Sequence, residues 1–187
     1  MNHSAKHSMY YIAIVCHAEV NEKVLQFKYW MKEQFGCVVA LKSPAHITLI
    51  PPFWLEERRE TDLLQTLQTF STNIDQLEVN LKDFSHFNKR VLFINVKENA
   101  ELEEIKKQTE KHFIQLFGET IKTDDRPFHP HVTIANRDLK PFDFIKAWEH
   151  FSKKKFKETF RSGTISLLKL GPDKWNVIGE KKMGIKI

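Results

Sequence analysis

The chain contains two similar stretches, SPAHITLIPPF at residues 43–53 and FHPHVTIANR at residues 128–137. Each places a histidine, an aliphatic residue, a threonine and a second aliphatic residue in a row, shortly after Pro44 or Pro130. Because successive side chains of a strand point to opposite faces, the histidine and threonine share one face and the aliphatic pair the other. Chance predicts only about 0.03 copies of such a four-residue pattern. The repeat, with one copy in each half, therefore predicts two related halves of one fold.

Short apolar runs and helical patterns alternate around these His-x-Thr motifs. The spacing predicts strands at residues 10–15, 38–41, 45–50, 77–84, 90–96, 131–135, 164–170 and 175–178. Apolar side chains at helical spacing predict four helices, with the stripes Val20, Val24, Phe27, Met31 and Phe35; Leu63, Leu67, Phe70 and Ile74; Leu102, Ile105, Phe113 and Leu116; and Phe144, Trp148 and Phe151. Pro51 and Pro52 are expected to end the strand that carries the first motif. Interleaved strands and helices with hairpins indicate an α+β fold.

Composition favours one globular domain over residues 1–187, with residues 1–9 flexible. Hydrophobic residues make up 41% and charged residues 28% of the 187-residue chain. No apolar run approaches the roughly 18 residues of a membrane span, and the first nine residues lack the apolar core of a secretory signal. Cys16 and Cys37 lie in apolar stretches that suit reduced, buried thiols. We therefore expect a cytoplasmic monomer with no membrane partner, whose net charge of +5 permits a polyanionic ligand without requiring one.

Two histidines that face each other across a cleft suit acid–base catalysis. An imidazole with an ordinary pKa near 6.5 takes a proton on one side while its partner, as imidazolium, donates one on the other. A threonine hydroxyl beside each ring can donate to an anionic oxygen. This set suits cleavage of a phosphodiester without a metal ion. The predicted catalytic residues are therefore His46 and His131, and the predicted phosphate-binding residues are Thr48 and Thr133.

The paired motifs resemble those of the two-histidine (2H) phosphoesterase superfamily, and in particular its LigT-like branch of RNA 2′,3′-cyclic phosphodiesterases, also named 2′-5′ RNA ligases. Four segments carry this resemblance: SPAHITLIPPF, HFNKRVLFINV, FHPHVTIANR and LLKLGPDKWNVIG. It implies a bilobal fold, with two related lobes of mainly antiparallel sheet and flanking helices around a central groove. It also implies that His46 and His131 serve as general base and acid, and that no cofactor is needed.

The resemblance further implies a hydrolase that opens a cyclic phosphate at an RNA end and leaves a 2′-phosphate; some family members also join RNA ends through a 2′-5′ bond. In many members an arginine stands five residues after the second motif's histidine, whereas here Asn136 holds that place and Arg137 follows. Arg137, Arg90 and Phe128 are the predicted substrate contacts. We predict an RNA terminus as the substrate; because of the displaced arginine, a small cyclic nucleotide-derived phosphate stays as the alternative.

Two other functions remain open at this point. A metallohydrolase would use His46, His129 and His131 as nitrogen ligands. No HExxH or CxxC pattern accompanies them, and the two threonines would then have no explanation, so we predict no metal. A module that binds RNA without cleaving it would show marked salt dependence and no turnover. For His129 itself a structural role is favoured over a place in the groove.

Overall fold

The computed structural model describes residues 5–121 and 126–184. Over these residues the strands are β1 (His7–Val15), β2 (His46–Glu56), β3 (Leu77–Phe87), β4 (Val91–Val96), β5 (His131–Ala135), β6 (Lys157–Ser162), β7 (Thr164–Leu170) and β8 (Trp175–Lys182). The α-helices are α1 (Ala18–Phe35), α2 (Glu60–Thr69), α3 (Ala100–Phe117) and α4 (Pro141–Ser152). Short 3₁₀ helices span Val39–Lys42, Glu57–Arg59 and Gly118–Thr120. No helix within the two described ranges is long and apolar enough to cross a membrane.

The strands form two antiparallel sheets with the same internal plan. Sheet A has the order β2-β1-β7-β8, and sheet B has the order β5-β4-β3-β6. In each sheet a helix connects an inner strand to the neighbouring edge strand, as β1–α1–β2 in sheet A and as β4–α3–β5 in sheet B. The edge strand that this helix precedes carries a His-x-Thr motif in both sheets. The predicted α+β class and its two related halves of antiparallel sheet are confirmed.

The hydrophobic core joins the two halves. One cluster of buried side chains contains residues of both sheets, including Ile47 and Leu49 of β2 and Val132 and Ile134 of β5. Helix α1 packs against β5, and α3 packs against β2, so each helix supports the motif strand of the other half. Because the aliphatic residues of both motifs face this core, their histidines and threonines face away from it.

Several predicted boundaries match the structure because local chemistry determines them. Gly36 ends α1 in the left-handed region with φ +71°. The Asn99 side chain accepts the Leu102 N–H at 3.0 Å and caps α3. Asn88 and Lys89, in the three-residue turn between β3 and β4, both have positive φ, +46° and +54°. Cys16 and Cys37 are free and buried, as predicted.

The segment after α1 differs from its prediction. Residues 38–41 were expected as a strand, but Val39–Lys42 forms a 3₁₀ helix. The backbone N–H groups of Val38 and Val39 donate to one carboxylate oxygen of Asp138, at 2.6 and 2.8 Å. This carboxylate satisfies the first N–H groups of the turn, so a residue 99 positions away in sequence decides the conformation.

Strand β2 does not end at the prolines. It continues through Pro51 and Pro52 to Glu56, although the prolines were expected to end it. The β1–β2 register shifts between Tyr10 and Ile12, so the two prolines lie opposite an irregularity. At the edge of a sheet a missing N–H is tolerated, especially beside a bulge.

Four further expectations are wrong. The second helix, α2, ends at Thr69, because Phe70 leaves the helical region with ψ 135° while its ring stays buried. In α3 Leu116 is 53% exposed, and Phe117 is the buried residue instead. Strand β6 was not predicted, because Phe160 is its one buried side chain. Strand β1 begins at His7, so residues 7–9 of the predicted flexible segment are paired, while residues 1–4 lie outside the described residues.

Candidate active site

The two motifs begin the two edge strands. His46 is the first residue of β2 and lies opposite Val15, while His131 is the first residue of β5 and lies opposite Asn95. Thr48 and Thr133 follow on the same faces, and all four motif side chains are partly exposed. Strands β2 and β5 approach each other, and a charge on His131 influences the pKa of His46. The structure therefore brings the predicted catalytic and phosphate-binding residues to one place.

Both imidazole rings are held by the same hydrogen bond. His46 Nδ1 donates to the carbonyl of Pro44 at 2.8 Å, and His131 Nδ1 donates to the carbonyl of His129 at 2.7 Å. A carbonyl can only accept, so Nδ1 carries the proton in both neutral rings. The basic nitrogen is then Nε2, on the far side of each ring from the backbone. In both motifs the acceptor is two residues earlier, so local sequence sets the tautomer.

His46 is neutral over a wide pH range. Burial is the main cause that lowers its pKa, from 6.5 to about 4, and the charges of Lys28 and His131 lower it further. The hydrogen bond to Pro44 acts in the opposite direction. A neutral imidazole whose Nε2 has no proton is the form that can accept one.

Lys28 of α1 is a buried cation close to this histidine. Its Nζ donates to the carbonyl of Ser43 at 2.9 Å, in the loop that leads into His46, and its side chain is only 3% exposed. Burial lowers the pKa of Lys28 to about 8. The sequence analysis did not identify Lys28, although a signal was present: it occupies a buried position of α1 in register with Val20 and Val24.

Aromatic rings enclose both histidines. The ring of Tyr11 lies 4.9 Å from that of His46, and Trp175 packs edge-on against Tyr11 at 4.6 Å. On the other side Phe87 and Phe93 contact His131, with ring centroids 5.1 and 4.9 Å away. Burial among these groups and the adjacent His129 lower the pKa of His131.

The three predicted substrate contacts lie in different surroundings. Arg90 is exposed and follows the β3–β4 turn, where its N–H donates to the carbonyl of Phe87 at 2.9 Å. Arg137 is exposed two residues after β5 ends. Phe128 packs against the hydrophobic core, with Lys106 Nζ 5.5 Å from its ring centroid. This packing gives Phe128 a structural role, and substrate contact by each of the three stays a prediction.

His129 contributes its backbone to the site, since its carbonyl orients His131. Its exposed ring lies 5.1 Å from Phe87. Within residues 5–121 and 126–184, no group of three His, Cys, Asp or Glu side chains is arranged to hold a metal ion. Metal-independent chemistry stays a prediction that a chelator tests.

Comparison with known sequences assigns the family. The sequence profile of the 2'-5' RNA ligase superfamily matches residues 19–174. The chain belongs to this superfamily. Its resemblance to the LigT-like branch is thus confirmed at the level of the family. The RNA 2',3'-cyclic phosphodiesterase of Bacillus subtilis (strain 168) is 26% identical over 124 residues, which cover 64% of this chain and 61% of that protein. A Bacillus pumilus relative is 27% identical over 97 residues. The chain thus matches 53% and 61% of the lengths of these two superfamily relatives.

Solved structures share the fold over nearly the whole chain. Escherichia coli LigT complexed with 3'-AMP superposes with a TM-score of 0.68 at 17% identity, covering 95% of this chain and 99% of that one. A Thermus thermophilus protein superposes with a TM-score of 0.65 at 19% identity, covering 92% and 96% of the two chains. At these identities the match shows the fold alone, and it confirms the predicted LigT-like architecture.

Proposed function

We propose that this superfamily member is a cytoplasmic, metal-independent phosphodiesterase that opens a 2′,3′-cyclic phosphate at an RNA terminus. One observation carries the proposal. His46 and His131 lie on edge strands that approach each other, and the Nδ1 of each ring donates to the backbone carbonyl two residues earlier. Both Nε2 atoms are therefore available to accept or donate a proton. A threonine on the same strand face accompanies each ring. With an RNA 5′-hydroxyl in place of water as the nucleophile and O3′ again as the leaving group, the same chemistry joins RNA ends through a 2′-5′ bond.

The reaction needs one proton accepted and one donated. A water oxygen attacks phosphorus while His46 Nε2 takes a proton from that water. The bond between phosphorus and O3′ breaks, and His131 Nε2–H gives its proton to O3′, leaving a 2′-phosphate and a free 3′-hydroxyl. Thr48 and Thr133 donate hydrogen bonds to the non-bridging oxygens, where negative charge develops. Acid and base catalysis each contribute roughly 10²–10⁴-fold to such a rate.

The surroundings of the two rings support this division of roles. Burial and the nearby Lys28 cation keep His46 neutral, which is the form required of a base. His131 has His129 beside it in place of the lysine. A bound phosphodiester anion favours the charged form of a neighbouring imidazole, so the substrate itself promotes protonation of His131.

Two further observations favour a nucleotide as the group that carries the phosphate. Escherichia coli LigT, which shares the fold, forms complexes with 3'-AMP, NADP+ and ATP. In this chain the partly exposed ring of Trp175 packs on the buried Tyr11 beside His46, and an exposed aromatic face stacks on bases of any sequence.

Hydrolysis of a short RNA that ends in a 2′,3′-cyclic phosphate, in excess chelator, tests the proposal. We expect wild-type cleavage to resist the chelator and to fall by at least about 100-fold in both His46→Ala and His131→Ala. His7→Ala is the matched control, because His7 Nδ1 bonds the carbonyl of Ala5 at 2.7 Å on an exposed surface.

Three outcomes would overturn parts of this proposal. Activity that survives in either active-site variant excludes the acid–base pair. Loss of activity in chelator indicates a metallohydrolase. If folded wild-type protein cleaves only mononucleoside cyclic phosphates, the substrate is the small-molecule alternative that Asn136, in place of the usual arginine, left open.

A further inference from the structure

The face of sheet B that carries His131 continues across the sheet as a polar and basic row. Cross-strand pairing joins His131 of β5 to Asn95 of β4, Asn95 to Lys82 of β3, and Lys82 to Lys157 of β6. Directly paired residues of antiparallel strands point to the same face. Three strand spacings of ~4.8 Å place Lys157 ~14 Å from the catalytic histidine.

A β-bulge places Lys82 in this row. Strict alternation would put Lys82 and Phe84 on one face, but the β3–β4 register shifts between them, at Asp83 with φ +54°. Phe84 is therefore buried in the core, and Lys82 is exposed on the opposite face. The bulge is tied to the start of β6, because Asp83 N–H donates to the Phe156 carbonyl at 2.8 Å and Asp83 Oδ1 accepts the Phe156 N–H at 3.1 Å.

The far end of the row is a basic, open pocket of about 380 Å³. Lys82, Lys155 and Lys157 line it together with Asp83 and Phe156. Lys155 Nζ lies 3.7 Å from Asp83 Oδ2, so one carboxylate faces three cations. All three lysines are exposed, and the pocket therefore carries excess positive charge within reach of a ligand.

On sheet A the cross-strand line through Thr48 runs to Ala13, then to Ser166, and ends at the acidic residue Glu180. The groove beside His131 therefore carries basic side chains along sheet B, and a polyanion that starts at the two histidines is attracted along this row.

We propose that a row of side chains along sheet B binds the phosphates of the RNA strand that precedes the terminal cyclic phosphate. This row, here called the lysine row, consists of Asn95, Lys82, Lys157 and Lys155. This inference rests on the proposed function. A 2′,3′-cyclic phosphate is the 3′ end of its strand, so the rest of the strand must leave the site in the 5′ direction. A stacked strand has one phosphate about every 3.4 Å, so a row of ~14 Å passes a few phosphates. The lysine row makes an RNA strand, and not a mononucleotide, the preferred substrate.

The test compares two substrates: a single-stranded RNA octamer with a 2′,3′-cyclic phosphate end, and a mononucleoside 2′,3′-cyclic phosphate. The double variant Lys82→Gln/Lys157→Gln is measured against the control Lys107→Gln/Lys111→Gln, two exposed lysines of α3. Each lost contact with a single strand flattens the plot of log(kcat/KM) against log[salt] by about 0.7. We expect the octamer slope to flatten by about 1.4 and kcat/KM to fall about 25-fold at 0.1 M salt. Turnover of the mononucleotide should not change.

An equal loss on both substrates, no loss on either, or the same loss in the control variant would overturn the lysine row. If the wild type cleaves neither substrate, the proposed function is wrong, and the lysine row is then tested separately by RNA binding. Binding of a fluorescent RNA octamer with a 3′-phosphate is then measured by anisotropy at several salt concentrations. A slope that flattens by about 1.4 in the Lys82→Gln/Lys157→Gln variant supports the row, and an unchanged slope overturns it.

Discussion

The lowered pKa of His46, whose ring is only partly exposed, predicts that the protein loses stability in mild acid. Its pKa is lowered from 6.5 to about 4 in the folded protein, chiefly by burial. Between these values the unfolded chain binds a proton at this residue and the folded protein does not. The contribution of His46 to stability is therefore fully present above pH 6.5 and is lost as the pH falls toward 4.

The size of the effect follows from the width of this pH window. At about 1.4 kcal/mol per pH unit, the whole interval from 6.5 to about 4 corresponds to about 3.5 kcal/mol. Between pH 7 and pH 4.5 the loss is about 2.5 kcal/mol, because the unfolded chain is almost fully protonated at pH 4.5. Such a loss is a large part of the roughly 5–15 kcal/mol that holds a typical domain folded.

Urea unfolding of the wild type and of His46→Gln, at pH 7 and pH 4.5, measures this contribution. We expect the free energy of unfolding of the wild type to fall by about 2.5 kcal/mol more than that of the variant. The other titrating groups, including His131, are present in both proteins and cancel in the comparison. His7→Gln is the control, because His7 Nδ1 also bonds a backbone carbonyl two residues earlier, but on an exposed surface. If the wild type and His46→Gln lose equal stability, or if His7→Gln behaves like His46→Gln, the reasoning from burial is refuted.

Two further predictions concern Lys28 and Gly163. Lys28→Met removes a cation that lowers the pKa of His46, so we expect this pKa to rise in the variant. An NMR titration of the imidazole protons measures the pKa. An unchanged value would show that the charge of Lys28 has no effect on the protonation of His46. Gly163 joins β6 of sheet B to β7 of sheet A, and a Cβ there would lie 2.9 Å from the backbone oxygen of Asp75. Gly163→Ala should therefore lower the free energy of unfolding by about 1–3 kcal/mol in urea titrations, and full stability would contradict this close contact.

Local patterns predicted most elements of the fold because the information lies within a few residues. The buried aliphatic residues Ile47 and Val132 alternate with the partly exposed Thr48 and Thr133, as a strand with one buried face requires. The missed features depend on residues far away in sequence. No window around Val39 contains Asp138, whose carboxylate holds that segment in a 3₁₀ turn.

The histidine pair was predictable because the chain repeats its motif, and repetition is visible in sequence. Lys28 was not, because a lysine on a helix ordinarily faces solvent, and its burial depends on packing between α1 and the strands. Its position in register with Val20 and Val24 was the one local sign of that burial.

The surfaces beside the two His-x-Thr motifs differ in charge. In both sheets an inner strand, a helix and a motif-bearing edge strand follow one another, yet the row that starts at His131 ends in lysines, while the line through Thr48 ends in Glu180. The difference depends on register. Without the bulge at Asp83, the alternation of β3 would turn Lys82 toward the core or Phe84 toward the groove. Because both errors are costly, the same bulge that preserves the core also fixes the basic surface beside His131. On the proposed lysine row, the direction in which an RNA strand leaves the site therefore depends on sheet register, and not on the His-x-Thr motifs that the two halves share.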